Sequence, residues 1–278
     1  MRSRLQCVAH LLLALGCMLV AVAIARADEA PQLELKVELD PGTRRFSAVA
    51  QFEAVRHELR MRLHRSLNIR NVAVDGRPVS VPAPAVSSTH AVWVVTLPRR
   101  GQVAIAYDGT LPALDAGMDH RGVLRIASPM ASPEGSFLPS GSYWHPHPRE
   151  SYTYRVTLTL PAAQRGLVAG DLIEETPPSP DAPRYRAVFE MKQPTDGIDL
   201  MAGPYHVEER LVERAGSPPL RLRTYFTAPL RALSADYLED SARYVALYSQ
   251  SIGAYPYGSF SVVASPLPTG FGMPTLTY

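Results

Sequence analysis

Cysteine is almost absent from this sequence. Its two copies, Cys7 and Cys17, both lie near the N-terminus. The rest of the chain therefore has no thiol to form a disulfide, hold a soft metal or act as a nucleophile. Lysine is nearly as scarce: only Lys36 and Lys192 occur, and the other basic residues are arginine. No apolar run reaches the roughly 20 residues of a membrane-spanning helix. Several motifs are missing too. There is no G-x-S-x-G, no Walker A loop and no G-x-G-x-x-G, which removes the usual signatures of serine hydrolases, P-loop nucleotidases and dinucleotide enzymes. The only His-Glu dipeptide, His57-Glu58, has Met61 where a zincin helix needs its second histidine, in a stretch of period two.

The N-terminus shows what the chain does have. Arg2 and Arg4 precede an apolar run from Leu11 to Ala25, and Ala25-Arg26-Ala27 stands just before Asp28. That order is a secretory signal peptide, with cleavage expected after Ala27. The alternative is a membrane anchor through residues 8–25. Cleavage leaves 251 residues, with 25 basic and 26 acidic side chains, a formal charge of −1. This balance gives no electrostatic footprint for nucleic acid. An exported chain without cysteine suits a bacterial periplasm.

Beyond the leader, short alternating runs dominate. "LELKVELD" places Leu33, Leu35, Val37 and Leu39 on one side, the pattern of a half-buried strand. Pro41-Gly42 turns the chain into "RFSAVAQFEA", and Asp75-Gly76 signals a hairpin inside "IRNVAVDGRPVSV". "HAVWVVTLP" and "GQVAIAYDGTL" read as strands joined at Pro98–Gly101. Residues 111–142 read as irregular. "SYTYRVTLTLP", "GLVAGDLIEE", "RYRAVFEMKQP", "GIDLMAGPYHVEERLVE" and "PLRLRTYFTAP" continue the series. The 26 prolines, many at the ends of apolar runs, argue against a mostly helical chain. The expected fold is mainly β, a β-sandwich or a strongly curved sheet.

The pattern changes after Leu230. "SADYLEDSARYVALYSQSIG" places Tyr237, Ser241, Tyr244, Val245, Tyr248 and Ile252 on one helical face. Ser234 is the expected N-cap, Glu239 and Arg243 an expected i,i+4 pair, and Gly253 the expected C-terminal glycine. "SFSVVASPL" resumes as a strand, so a second domain of another class begins here. His145-Pro146-His147 could offer two ligands to a metal, but no third is adjacent; the alternative is a proline-stiffened loop with Trp144 turned inward. In "TGFGMPTLTY" the glycines Gly270 and Gly272 mark either a bulge or turn, or a close approach of backbone to a ligand.

Taken together, these segments resemble the front part of an M1-type zinc aminopeptidase, over nearly the whole chain after the leader. "VAIAYDGTL" is similar to the family's strand ending in Tyr-x-Gly, and "SYWHPH" to its Trp-Tyr-Pro variant. "LVAGDL" and "IDLMAGPYHV" resemble the paired strands that close its saddle domain. The stretch from Ala235 to Tyr278 is similar to a helix, Gly-x-Tyr-Pro-Tyr, an edge strand and a Gly-x-Met-Glu-Asn loop. The resemblance implies a saddle-like β-sandwich over 28–206. It implies that 207–278 begins an α+β thermolysin-like catalytic domain. It further implies that Gly270, Phe271, Gly272, Met273 and Pro274 line a cleft for a peptide substrate. In the family, the loop's Glu anchors the substrate's amino terminus. Here Pro274 and Thr275 stand where Glu and Asn would, so no carboxylate remains at that point. The family's zinc ligands, in H-E-x-x-H and a downstream Glu, have no counterpart in these 278 residues. The chain thus reads as an exported metallopeptidase truncated inside its catalytic domain. It is expected to hold no zinc and to be inactive by itself, with zinc belonging to a complete parent. The alternative reading is a non-catalytic secreted β-sandwich that binds a partner.

Overall fold

A computed structural model describes residues 32–278 apart from 126, 127 and 215, and Gln32–Tyr278 cluster as one unit. The expected signal peptide, residues 1–27, and both cysteines lie outside the described residues. The fold is mainly β, with one long helix near the end.

Alternation builds the first layer. In β1 (Leu33–Asp40) the four apolar side chains from Leu33 to Leu39 are buried and the residues between them are not. β2 (Arg45–Ala54) returns antiparallel, with Leu35 opposite Ala50. The Asp40 carboxylate accepts the Thr43 hydroxyl (2.8 Å) and the Gly42 amide (3.0 Å), closing the turn between them. After β3 (Glu58–His64), β4 (Leu67–Val74) and β5 (Arg77–Val79) form the hairpin expected at Asp75-Gly76. Both turn residues have positive φ, 45° and 75°, as a type I′ turn demands. β6 (Ala85–Val86), β7 (His90–Thr96) and β8 (Gly101–Thr110) follow. The Pro98–Gly101 turn joins two sheets: β7 lies in a small sheet, β3-β7-β6, whereas β8 joins the large one.

The stretch read as irregular contains short elements: α1 (His120–Arg125), β9 (Met130–Ser132), β10 (Gly135–Leu138) and a 3₁₀ turn at Ser140–Ser142. These are too short for periodicity to reveal. β11 (Tyr152–Pro161) pairs parallel with β1, in register Leu33 to Tyr154. The run "GLVAGDLIEE" is not one strand. It breaks into β12 (Arg165–Val168) and β13 (Asp171–Thr176), in different sheets. Gly170 makes the break: its φ is +127°, and a Cβ there would sit 2.8 Å from the Glu190 carbonyl oxygen. With β14 (Arg184–Thr195) the large sheet runs β13-β14-β11-β1-β2-β8-β4-β5. β15 (Leu200–Gly203) lies between β12 and β10 in a four-stranded sheet, β12-β15-β10-β9.

β16 (His206–Arg214) and β17 (Ser217–Phe226) open a further sheet, extended by β18 (Ser259–Val263), β20 (Leu276–Thr277) and the edge strand β19 (Gly272–Met273). Arg223 of β17 bonds Glu209 (2.6 Å) and Glu175 of β13 (2.8 Å), its side chain only 11% exposed. Burial alone would raise the Glu175 carboxyl, but Arg223 outweighs it and the pKa falls below the usual value. Removing Arg223 leaves Glu175 half-buried without its cation. Arg223→Ala is expected to cost about 2 kcal/mol, between exposed and fully buried pairs. A urea-midpoint shift below about 0.5 kcal/mol would show that the cluster contributes nothing to stability.

Between β17 and β18 runs α2 (Ser234–Ile252). Two expectations need correction here, and a third at the helix end. Ser234 is not the N-cap, because a 3₁₀ turn at Ala228–Leu233 runs straight into the helix and the Ser234 amide already donates to Arg231. Arg243 pairs with Asp240 at i,i+3 (2.7 Å) and not with Glu239. The tyrosine face is not the buried one. The helix buries Leu238, with Ala242 and Val245 beside it, against Leu220 and Leu222 of β17. Tyr237, Tyr244, Tyr248 and Ile252 stay exposed, Ile252 by 83%. Gly253 ends the helix as its C-cap, at φ +114° and ψ 162°, and not as the left-handed C′ glycine expected. No helix of the described residues is long and apolar enough to cross a membrane.

Candidate functional site

The segment from Thr269 to Tyr278 folds back on itself. The Phe271 amide donates to the Tyr278 carbonyl (3.0 Å) and the Tyr278 amide to the Phe271 carbonyl (3.1 Å). Inside that frame β19 and β20 pair, Gly272 opposite Thr277, and β20 lies parallel beside β18. Gly270 is needed for close packing, since a Cβ there would meet the Tyr278 oxygen at 2.9 Å. Gly272 meets nothing and has ordinary φ, so its lack of a side chain only leaves the sheet edge open. Thr275 holds the turn at φ +69°, a conformation that costs a β-branched residue. Its hydroxyl offsets this by accepting the Gly170 amide at 2.6 Å. Ser259 also bonds Gly170 (3.1 Å) and Asp171 (2.9 Å). The hairpin is thereby tied to the bend that splits β12 from β13.

Beneath the hairpin lies a cavity of about 200 Å³, lined by Phe137, Asp199, Thr269, Phe271, Met273 and Tyr278 among others. Of the five loop residues singled out in the sequence, Phe271 and Met273 line it, while Gly270, Gly272 and Pro274 do not. Asp199 was not anticipated. It precedes β15, is 5% exposed, and accepts the Ser140 amide at 3.1 Å. Burial, with Asp196 nearby, raises its carboxyl to about 6. The signal was present: an acid between Ile198 and Leu200, in a run otherwise apolar, is an unusual thing to bury.

The two histidines do not form a metal site. His145 is fully buried beside Trp144, and its Nδ1 lies 3.2 Å from the Pro146 carbonyl, so Nδ1 carries the proton. Burial, aided by His147, pushes its pKa down to about 3, so the ring stays neutral. The two rings stack at 4.7 Å with an interplanar angle of 9°. Parallel in-plane lone pairs do not converge on one ion. Trp144 is turned inward, with no exposed surface, and its Nε1 donates to the Ile198 carbonyl at 2.8 Å.

A second concavity, about 950 Å³, runs between α2 and β18, with Tyr237, Tyr244, Tyr248, Tyr255 and Phe260 in its walls. It carries few polar groups and no constellation for chemistry.

No family model matches the sequence, and no curated protein matches it. Solved structures do. The M1 zinc metallopeptidase of Deinococcus radiodurans matches with a TM-score of 0.65 and 18% identity, over 88% of this chain and 58% of that one. A mutant of that peptidase bound to a Tyr-Ser-Ala substrate gives 0.66, 17%, 88% and 59%. A two-domain M1 zinc metallopeptidase mutant bound to L-arginine gives the same four values. The chain has the fold of the M1 zinc metallopeptidases. The share of the chain covered is larger than residues 1–205 could supply, so the match continues past β15. The chain spans about three-fifths of the length of these structures.

The M1 fold implies zinc, and the residues described here do not fit one. Among them, no group of three or more His, Cys, Asp or Glu is placed to hold a metal ion. No catalytic step is therefore assigned to this chain.

Proposed function

We propose that this chain is the N-terminal part of an exported M1-like zinc metallopeptidase that hydrolyses peptide bonds. In this reading residues 28–206 are the saddle-like sandwich and 207–278 begin the catalytic domain. The zinc ligands come from sequence that these 278 residues do not include, and this part alone is inactive. The observation that carries the reading is the match of the M1 fold over 88% of the chain, more than residues 1–205 could supply. The exposed tyrosine face of α2 supports it, because an apolar face of this kind suits a further layer of the same domain. So do the neighbours, which bind a tripeptide and single amino acids.

The role of this part is to form one edge of the substrate cleft. β19 is the edge strand of its sheet, and such an edge can accept an extended peptide by strand addition. Gly270 to Pro274 would run along that peptide, with Phe271 and Met273 facing the cavity below. Residues 1–27 direct export to the periplasm and are removed, so the secreted form begins at Asp28.

The test is to sequence the native transcript beyond codon 278 and the N-terminus of the secreted protein. The expected results are an in-frame H-E-x-x-H with a downstream Glu, zinc-dependent peptidase activity of the native product, and a mature N-terminus at Asp28. A stop codon directly after Tyr278 would overturn the peptidase reading and leave a sandwich that binds a partner.

A further inference from the structure

The loop that carries Trp144 also closes a basic hollow. A concavity of about 360 Å³ is lined by Arg60 and Arg62 of β3 and by Tyr143, His147, Arg149 and Glu150 of the loop before β11. Arg60 and Arg62 are two residues apart on a strand, so they stand on one face. Opposite them on β7 are Val94 and Val92, which carry no charge. β3 is an edge strand of its three-stranded sheet, so no further strand brings a carboxylate to them. The loop wall is held in place. The His64 amide donates to the Tyr143 carbonyl (2.8 Å), and the Tyr143 ring lies 4.9 Å from that of His90. Trp144, the next residue, has no exposed surface.

The three guanidiniums lack partners within the fold. Among the described residues, none of Arg60, Arg62 and Arg149 is hydrogen-bonded or ion-paired through its side chain. On the large sheet, by contrast, Arg70 pairs with Asp108, Arg155 with Glu190 and Arg184 with Glu38. Glu150 is the one acid of the lining. Glu58 shares the face of β3 and Asp196 acts on His147, but neither lines the hollow. His147, its pKa lowered chiefly by desolvation, is neutral at pH 7. The lining therefore carries three positive charges and one negative, a net +2. Like charges gathered around one hollow repel each other, and a bound anion relieves this. Charges on an edge strand can serve only to block pairing with another chain. Arg60 and Arg62 would suffice for that. It does not call for Arg149, brought to the same hollow from a distant part of the chain. Nor does it call for Tyr143 at φ +57°, an uncommon conformation for a bulky residue.

The charge of the hollow selects its ligand. Guanidinium forks match the oxygens of phosphates and carboxylates. A carboxylate, a sulfate monoester or a phosphodiester brings one negative charge against a net +2. A phosphomonoester brings close to two at pH 7, with three terminal oxygens, one for each arginine. The volume is above the roughly 300 Å³ at which pockets begin to take whole small molecules, so there is room for the carrier of the phosphate beside Tyr143. We propose that this hollow binds the phosphomonoester group of a sugar phosphate or of a lipid headgroup, held by Arg60, Arg62 and Arg149. The site shares no lining residue with the cavity beneath the hairpin and needs no zinc. It stands or falls independently of the peptidase reading.

The test is calorimetric titration of the native protein with glucose 6-phosphate, glucose 6-sulfate and glucose. Beside it, the protein is sedimented with phosphatidylcholine vesicles that contain phosphatidic acid or, at matched surface charge, phosphatidylglycerol. Glucose 6-phosphate is expected to bind saturably, and the sulfate and glucose at least about tenfold more weakly, the worth of one charge-assisted contact. Saturable binding of the sugar phosphate assigns the free source. Binding to phosphatidic acid vesicles alone, and not to phosphatidylglycerol, assigns the lipid headgroup. Arg62→Gln keeps most of the stem and loses the charge. It should weaken whichever ligand binds by at least about tenfold. Arg70→Gln, at an arginine paired outside the hollow, should change binding by less than about twofold. Arg62 and Arg70 are exposed, so both variants should melt like the parent. Equal binding of sulfate and phosphate would overturn the proposal. So would equal losses in Arg62→Gln and Arg70→Gln, equal sedimentation with the two anionic lipids without binding of the sugar phosphate, or no binding of either phosphate source.

Discussion

Replacing Trp144 by alanine is expected to lower the unfolding free energy by about 4 kcal/mol, the largest loss from any single substitution considered. Trp144 has no exposed surface, and its ring meets the edge of Phe46 at 6.1 Å and His145 at 4.6 Å. Truncation removes that contact area and leaves a cavity, which costs about 3–5 kcal/mol for a large aromatic side chain. It also takes the donor away from the Ile198 carbonyl, now bonded at 2.8 Å, and a buried acceptor left alone adds about 1 kcal/mol or more. Ile198 adjoins Asp199, so the same change loosens the acid beneath the hairpin. Trp144→Phe separates the two effects. It keeps most of the packing and loses the donor, and is expected to cost about 1–2 kcal/mol. Urea unfolding of the three proteins measures this; a loss under about 1.5 kcal/mol for the alanine variant would mean that the loop collapses onto the gap.

Asp199→Asn is expected to stabilise the chain at neutral pH by on the order of 2–3 kcal/mol. The Asp199 carboxyl has its pKa raised from 3.8 to about 6, chiefly by burial. Between these values the folded state holds a proton that the unfolded state has released. The contribution of Asp199 to stability is therefore fully present below pH 4, falls as pH rises towards 6, and is absent at pH 7. Asparagine carries no charge and removes that loss. His145 and His64, pushed down to about 3 and about 4 chiefly by burial, titrate in the opposite sense in both proteins, so the informative quantity is the difference between the two curves. It should be near zero at pH 4 and largest at pH 7. A difference that is flat with pH, or of opposite sign, would show that Asp199 already has a counter-charge in the folded protein.

The class of fold was legible in the chain itself. Leu33 to Leu39, Phe46 to Phe52 and Tyr152 to Leu160 alternate, and each is a strand with its apolar side buried. Asp75-Gly76 specified its turn because few other residue pairs adopt positive φ twice in succession. The helix of residues 234–252 was legible by its period and by Gly253. The resemblance of the last 44 residues pointed to a cleft-edge hairpin, and the M1 fold of the chain agrees with the architecture it implied.

What the chain alone determined was therefore local: which residues extend, which coil, and which side of each strand is apolar. The tertiary structure decided which partner each face received. Gly170 split one apolar run between two sheets because the Glu190 carbonyl stands where a side chain would go, a neighbour no periodicity reveals. The helix has two adjacent apolar stripes, and Leu222 with Leu220 selected the one through Leu238. Asp199, Phe137, Phe271 and Tyr278 are scattered through the chain and became one cavity only when the hairpin packed near the start of β15. Periodicity records the direction of a side chain relative to its own backbone. A site is made by where distant backbones meet, and that is settled by packing.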